Sequence, residues 1–365
     1  MTDNNRAIYA IYLPQFHQIP ENDEWWGQGF TEWDNVKKAK KLFNRHQQPQ
    51  VPLKGYYDLS KIDSLRIQKK LIDRAGIDGF CFYHYYSNGK LLLEKPSENL
   101  LNNLDINIKF FFSWANHDWR RTWYSFNNEI LFRQEYGTDD QIRQHYEYLR
   151  SFFLDDRYQK YNNKPIFVIY RSDLIPNFSQ YKKIWDDLAQ KDGFDGIYFI
   201  STITGKGLDK SATEYDAYFC FEPDSIISEQ LPMLLKYYQS LRAKIVPRLN
   251  KILPWKMLRQ VFRYENLMNI SEKKEIDFQG KSYVQGAFAR WDNTPRHSFN
   301  GRIISSPNDD YLKKVISKKL GNPDSQALPF IIVNSWNEWS EGSNIEPNIE
   351  DGYRILDIFN EVKND

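Results

Sequence analysis

Eight short segments of apolar, β-branched and aromatic residues are spread along the chain, each bounded by turn-forming residues. Most are apolar throughout instead of alternating with polar residues, which is typical of parallel strands covered on both faces. The segments are residues 7–13, 79–85, 108–114, 165–170, 196–201, 217–221, 286–291 and 328–336. The pattern therefore predicts eight buried parallel strands.

Amphipathic helical patterns lie between these segments. Residues 60–75 begin with a candidate serine cap, and residues 139–153, 179–190 and 309–319 also have helical spacing of apolar residues. Strands that alternate with helices form βαβ units. Eight such units predict an α/β fold, a (β/α)8 TIM barrel.

The predicted strand-to-helix loops are long, and such loops build the barrel face where active sites lie. We expect a single catalytic domain over residues 1–365, with a helical insertion at about residues 225–283. Helical patterns at 228–242 and 252–269, separated by prolines, indicate the insertion. Its core is too small for an independent domain.

Charge and hydropathy count against nucleic acid as a ligand and against a membrane-spanning segment. The 49 basic and 48 acidic residues leave a net charge of +1, without the basic excess of nucleic-acid-binding proteins. No apolar run approaches the roughly 18 residues of a membrane span. The polar N-terminus lacks a signal-peptide pattern, so we expect a cytoplasmic location.

Aromatic residues form 16% of the chain, with 11 Trp, 24 Tyr and 24 Phe. Many of the tryptophans fall on the predicted long loops, where flat aromatic faces suit sugar rings. This group includes Trp25, Trp26, Trp33, Trp119 and Trp123. The placement predicts a ligand cleft, although each tryptophan by itself could equally pack a loop.

Glu338 and Glu341 stand three residues apart at the end of the last predicted strand. Glycosidic bonds are cleaved by a pair of carboxyl groups, and nearby Trp336 and Trp339 would raise the pKa of one by desolvation. An ordinary surface pair is the alternative. The position on a barrel's catalytic face favours a catalytic pair.

Metal and nucleotide sites have weaker signals. His17, His84 and His117 all follow or end predicted strands, but their spacing matches no metal motif, and we expect no metal or cofactor. Glycine-rich phosphate loops and an Asp-x-Asp triplet are also missing from the sequence. These absences count against a sugar nucleotide as a partner, without excluding it.

Several motifs resemble the WbsX family, described as glycosyltransferases of bacterial O-antigen and capsule loci. These motifs are residues 9–17, 25–33, 82–85, 112–116, 291–296 and 337–342. The family is similar to the glycoside hydrolase family 99 endo-α-mannosidases, which are (β/α)8 barrels. The resemblance implies that Glu338 deprotonates the sugar's 2-hydroxyl, which attacks the anomeric carbon to form a 1,2-anhydro sugar. It implies that Glu341 is the general acid and then the base for the acceptor.

Further residues in these motifs and at strand ends are candidates for binding an oligosaccharide or polysaccharide, free or lipid-linked. They are Tyr12, His84, Tyr85, Trp114, Asn116, Glu222, Trp291, Asp292, Trp336, Asn337 and Trp339. With a sugar hydroxyl as acceptor the enzyme is a glycosyltransferase of surface-polysaccharide assembly, and with water it is a retaining endo-glycosidase. A non-catalytic carbohydrate-binding barrel is the third hypothesis.

Overall fold

Eight parallel strands close into a barrel in the computed structural model, which describes residues 6–120, 129–209, 213–322 and 324–364. Each strand pairs with the next along the chain, and the first strand also pairs with the last, which closes the barrel. The strands are β1 (Ala7–Tyr12), β2 (Gly79–Ser87), β3 (Lys109–Trp114), β4 (Lys164–Ile169), β5 (Tyr198–Ile203), β6 (Ala217–Cys220), β7 (Ser282–Ala287) and β8 (Ala327–Val333). The predicted (β/α)8 barrel is confirmed.

Helices follow most of the strands. They are α1 (Pro20–Trp26), α2 (Trp33–Lys38), α3 (Ile62–Ala75), α4 (Lys95–Leu101), α5 (Asp139–Phe153), α6 (Phe178–Lys191), α7 (Met233–Ile252), α8 (Tyr264–Lys273), α9 (Thr294–His297), α10 (Asp309–Leu320) and α11 (Arg354–Asn364). Between β5 and β6 the described residues, 204–209 and 213–216, contain no helix. One of the eight expected strand–helix units therefore lacks its helix there.

One strand, β7 (Ser282–Ala287), differs from the predicted segment 286–291 at both ends. β7 ends at Ala287, and Trp291–Asp292 forms a separate short strand that pairs antiparallel with Arg302–Ser305. Arg302–Ser305 also pairs with Gln260–Arg263, giving a small three-stranded sheet above the barrel. The apolar run at 286–291 thus belongs to two elements, because the chain leaves the barrel between them.

The helix boundaries show two further differences. Lys61, not Ser60, is the N-cap of α3. Pro247 lies inside α7, so the residues predicted as two helices contain one long helix, a short strand and α8. A proline inside a helix removes one N–H donor and crowds the carbonyl group four residues earlier, but α7 continues past Pro247 to Ile252.

The hydrophobic core consists of side chains inside the barrel, many of them aromatic, and of side chains packed between the strands and the surrounding helices. Phe80, Phe82, Phe110 and Phe112 are fully buried, and Tyr9 packs edge-on against Phe111 at 5.0 Å.

Within the described ranges, no helix combines the length and the apolar character needed to cross a bilayer.

Candidate active site

A cleft of about 660 Å³ opens at the carboxyl ends of the barrel strands. Glu338 and Glu341, on the loop after β8, line it together with Tyr83 and Tyr85 of β2 and with Tyr170, which follows β4. This is the end of the barrel where (β/α)8 enzymes hold their reacting groups. The paired glutamates therefore lie where a catalytic pair is expected.

Buried hydrogen bonds hold the loop that carries the two glutamates. The side chain of Asn337 accepts from the Leu13 N–H at 2.7 Å and donates to the Leu13 carbonyl at 2.9 Å. The Glu338 N–H donates to Ser335 Oγ at 2.9 Å. Because these partners are buried, they attach the backbone of the Glu338 region to the end of β1.

The backbone approaches Asp292 closely at Gly342, just after the pair. Gly342 has a φ of +55°, and an added Cβ would lie 2.7 Å from the Asp292 carbonyl oxygen. Asp292 itself accepts hydrogen bonds from His46, Gln48 and Thr294 at 2.7 to 3.0 Å. Burial opposes the charge of Asp292, but these hydrogen bonds prevail and lower its pKa. Asp292 therefore supports the Glu341 loop as a fixed anion.

Three carboxylates surround the buried guanidinium of Arg296. Its Nε and Nη2 donate to Glu32 Oε1 at 2.9 and 2.6 Å. Its Nη1 contacts Glu341 Oε1, and its Nη2 lies 3.6 Å from Glu338 Oε2. One positive charge thus faces three acidic groups, an arrangement that favours binding a proton.

The excess of negative charge affects the pKa values of both Glu338 and Glu341. Burial and the neighbouring Glu341 raise the pKa of Glu338 to about 8, although Arg296 opposes the shift. Burial raises the pKa of Glu341 as well, again against Arg296. Glu338 Oε2 has no hydrogen-bond partner within the described ranges. Both shifts favour retention of a proton by the pair, and contact with Arg296 favours the negative charge on Glu341.

Aromatic side chains form much of the remaining wall. Tyr85 packs edge-on against Trp119 at 5.0 Å, and Tyr83 packs edge-on against Tyr170 at 6.3 Å. Of the loop tryptophans singled out from the sequence, Trp26 and Trp119 line the cleft, whereas Trp33 is buried in the core. Trp25 packs against Trp119, and Trp123 falls outside the described residues.

Of the residues expected to catalyse the reaction or to bind the saccharide, four line the cleft: Glu338, Glu341, Tyr85 and Trp291. The others lie outside its lining. His84 points away from the barrel axis, with its Nε2 2.7 Å from His145 Nε2, and burial lowers its pKa to about 3. A neutral, enclosed imidazole at this place packs β2 against α5, and its expected contact with a sugar stays a prediction.

The expected contacts at the ends of β1 and β3 also have structural partners. The Tyr12 hydroxyl donates to Gln68 at 2.8 Å, and Trp114 Nε1 donates to the Tyr86 carbonyl at 3.0 Å. The Asn116 side chain donates to the Arg171 carbonyl and accepts from its N–H, both at 2.8 Å. These three side chains hold loops and core together.

Residues near Glu338 and Glu341 also make structural contacts. Trp336 is fully buried against Phe80 at 5.3 Å, and Trp339 Nε1 donates to Glu346 at 3.1 Å. Asn337 and Asp292 support the loop as described above. Glu222 is buried in an ion pair with Lys319 at 2.6 Å. These side chains make contacts within the protein, and their expected contact with substrate stays a prediction.

Several cleft residues were missed in the sequence. Arg296 stands in the Trp-Asp-Asn-Thr-Pro-Arg motif at 291–296, but a single arginine carries no pattern that assigns it a charge partner. Glu32 was only one of several carboxylates on long loops. Tyr83 and Tyr170 lie within or beside apolar strand segments, where uniform hydrophobicity hides which residues face the axis.

The three histidines considered as a metal site do not form one here. Among the residues that the structure describes, no cluster of three or more His, Cys, Asp or Glu side chains is arranged to hold a metal ion. His117 lines the cleft, and burial, with a contribution from Arg171, lowers its pKa to about 4. His17 is buried separately, near the start of the β1 loop.

The family model described as Glycosyltransferase WbsX matches residues 8–359. A protein named WxcX from Xanthomonas campestris pv. campestris (strain B100) is 32% identical over 356 residues, covering 96% of this chain and 48% of that protein. WxcX from strain ATCC 33913 of the same pathovar is 31% identical over 358 residues, with the same coverage. This chain therefore spans about half the length of these curated relatives.

Solved structures share the fold. A glycoside hydrolase-like protein superposes with a TM-score of 0.57 at 13% identity, covering 99% of this chain and 95% of that chain. The GH99 endo-α-mannosidase from Bacteroides thetaiotaomicron superposes with a TM-score of 0.55 at 12% identity, covering 100% of this chain and 98% of that chain. At these identities the similarity establishes the barrel architecture.

Proposed function

Because this chain belongs to the WbsX family, we propose that it is a carbohydrate-active enzyme that transfers a glycosyl group during assembly of a bacterial cell-surface polysaccharide. The acceptor would be a growing saccharide, free or attached to a lipid. The observation that carries this proposal is the buried pair Glu338 and Glu341, which share Arg296 at the catalytic end of the barrel. The aromatic wall of the cleft supports a sugar as the ligand.

The proposed reaction proceeds in two displacements at the anomeric carbon. In the first, Glu338 takes the proton of the sugar's 2-hydroxyl, O2 attacks C1, and the bond from C1 to the leaving oxygen breaks. Glu341 gives its proton to that leaving oxygen. The product is a 1,2-anhydro sugar, so no covalent bond to the protein forms.

In the second displacement Glu341 takes the proton of the acceptor hydroxyl, whose oxygen attacks C1. The C1–O2 bond opens, and O2 recovers its proton from Glu338. Two inversions leave the anomeric configuration retained. The scheme needs one proton on the pair, which agrees with the raised pKa values of both glutamates.

The position of that proton differs between the resting site and the proposed reactive state. Contact with Arg296 favours the charge on Glu341, whereas the scheme begins with Glu338 ionised. A sugar 2-hydroxyl that donates to Glu338 would favour its charged form. The reversed roles, with Glu338 as acid, are therefore the alternative that the experiments must separate.

A retaining endo-glycosidase is the second candidate, and the shared fold with GH99 endo-α-mannosidases favours it. It uses the same pair with water as acceptor. The third hypothesis, a carbohydrate-binding barrel without turnover, leaves the shared proton without a role. We expect neither a metal ion nor a cofactor in either reaction.

To test for transfer, we would measure the melting temperature of the protein in the presence of UDP, GDP, dTDP or CMP. Each nucleotide would be added with and without Mg²⁺ or Mn²⁺. A ligand present at about 100 times its Kd stabilises the fold by roughly 2.7 kcal/mol. A shift with one nucleotide supports the transferase and names its donor class. If no nucleotide shifts the melting temperature, hydrolysis of mannose-containing oligosaccharides becomes the next assay, and turnover there supports the glycosidase.

A further inference from the structure

The long helix α7 carries a row of apolar side chains on its outer side. Leu234, Tyr238, Leu241, Ile245, Leu249 and Ile252 recur every three or four residues and are all exposed. Leu234 is 83% exposed and Ile252 is 81% exposed. Side chains at this spacing share one face of a helix, so the apolar face of α7 points outward.

Other side chains of α7 are buried or attach the helix to the segment that follows it. Val246 is buried, and Arg242 donates from Nη2 to the Leu258 carbonyl at 2.8 Å. Asn250 exchanges two hydrogen bonds with Met257, both at 2.8 Å. These contacts fix the rotation of the helix, and the apolar row therefore cannot turn inward without breaking them.

The segment is also strongly basic. Between residues 233 and 263 there are eight lysines and arginines and no aspartate or glutamate. Lys244 and Arg248 are exposed beside the apolar row. Tyr237 and Trp255 are exposed as well, and such aromatic side chains favour the boundary between lipid headgroups and acyl chains.

We propose that the outer face of α7 binds the surface of an anionic lipid bilayer, with the helix axis parallel to it. An apolar helix face flanked by lysine and arginine is the pattern of interfacial helices, which bury that face at the headgroup boundary. Negative headgroups complement the eight basic residues, whereas a second copy of the same face would bring like charges together.

The segment that follows α7 reaches the cleft. Arg259 and Gln260, in the same basic segment, line the cleft, and the Arg259 N–H donates to the Phe299 carbonyl at 2.8 Å. A bilayer bound at α7 would thus lie next to the entrance of the site. If the proposed function holds, this position suits a saccharide carried on a lipid.

The test is co-sedimentation of the full chain with vesicles, which requires no enzymatic turnover. We expect binding to vesicles of equimolar phosphatidylglycerol and phosphatidylcholine, and little binding to phosphatidylcholine alone. The double variant Lys244→Glu, Arg248→Glu should partition at least about tenfold less, because charges near an anionic surface each contribute to attraction. The variant Leu234→Ser, Ile252→Ser should lose binding by removing the apolar contact.

Leu104→Ser is the matched control, because Leu104 is 77% exposed on another part of the barrel. It should bind vesicles like the unaltered chain. Equal binding of all variants, or no binding of the unaltered chain, would overturn the proposal. A dimer in solution that Leu234→Ser, Ile252→Ser dissolves, without vesicle binding, would assign the face to a second copy. None of these outcomes depends on the proposed glycosyl transfer.

Discussion

Arg296 donates two hydrogen bonds to a single carboxylate oxygen of Glu32, at 2.9 Å from Nε and 2.6 Å from Nη2. Glu32 lies on the long loop after β1, and Arg296 lies at the end of α9, after β7. The bond fixes the plane of the guanidinium that contacts Glu341 and approaches Glu338. A residue without a place in the proposed reaction thereby sets the charge balance of the pair.

Glu32→Gln should move the pH profile of kcat/KM to lower pH by about one unit, because the Glu32 carboxylate raises the pKa of both Glu338 and Glu341. Removing that charge makes both glutamates easier to ionise, so both limbs of a bell-shaped profile shift together. A purely structural role would lower the rate without moving the profile. A shift to higher pH would contradict the electrostatic role.

Glu341→Gln should reduce turnover at least ~100-fold, which is the usual scale for loss of a general acid. A substrate with a good leaving group, such as a glycosyl fluoride, needs no protonation and should restore the first step of that variant. Glu338→Gln should not be restored in this way. Rescue of Glu338→Gln instead would reverse the two roles.

The exposed Glu350→Gln is the control for these glutamate variants, since Glu350 follows the same loop without lining the cleft. It should keep normal turnover. Near-normal turnover in Glu341→Gln would remove that residue from the proposed mechanism.

Glu346 should make the protein less stable as pH rises. Burial raises its pKa to about 7, although Tyr57, Gln68 and Trp339 donate hydrogen bonds to it. The folded state therefore binds a proton that the unfolded chain releases at lower pH. The contribution, roughly 3 kcal/mol, is complete below the unfolded pKa and is lost as pH rises through about 7.

Thermal unfolding between pH 4 and pH 8 checks this sign. Glu346→Gln cannot titrate, so the melting temperature of the unaltered chain relative to this variant should fall over that range. Glu350→Gln should leave the slope unchanged. If the melting temperature of the unaltered chain instead rises relative to that of Glu346→Gln as pH increases, Glu346 is ionised in the folded state over this range.

Lys319→Met should destabilise the fold by about 3–5 kcal/mol, because it leaves the buried carboxylate of Glu222 without its partner. Combining it with Glu222→Gln removes the uncompensated charge and should recover most of the loss, as measured by urea unfolding. Lys318→Met, at an exposed neighbour, should be close to neutral. An increase in KM specific to the double variant would return Glu222 to the substrate-binding residues.

Several levels of this structure could be predicted from the chain. Alternating strand and helix patterns were sufficient for the barrel, because parallel strands buried on both faces produce distinct apolar runs. The long strand-to-helix loops indicated the functional end. Two glutamates after the last strand could be identified because a carboxyl pair among tryptophans has a specific chemical use.

Other features depended on side-chain direction. Successive residues of a strand point to opposite faces, so Tyr83 and Tyr85 line the cleft while His84 between them contacts His145. Every residue from Gly79 to Phe82 is apolar, and the pattern therefore contains no sign of which parity faces the axis. The packing of β2 against α5 determines which residues of β2 face the barrel axis.

By itself the sequence determined the barrel and the position of the glutamate pair at its functional end, since both depend on local patterns of a few residues. The tertiary structure alone decided which polar residues reach the cleft. Glu32 and Arg296 are 264 positions apart, and Asp292 supports a glycine fifty positions later. Contacts at such separations depend on how the closed barrel brings its loops together, which no local pattern records.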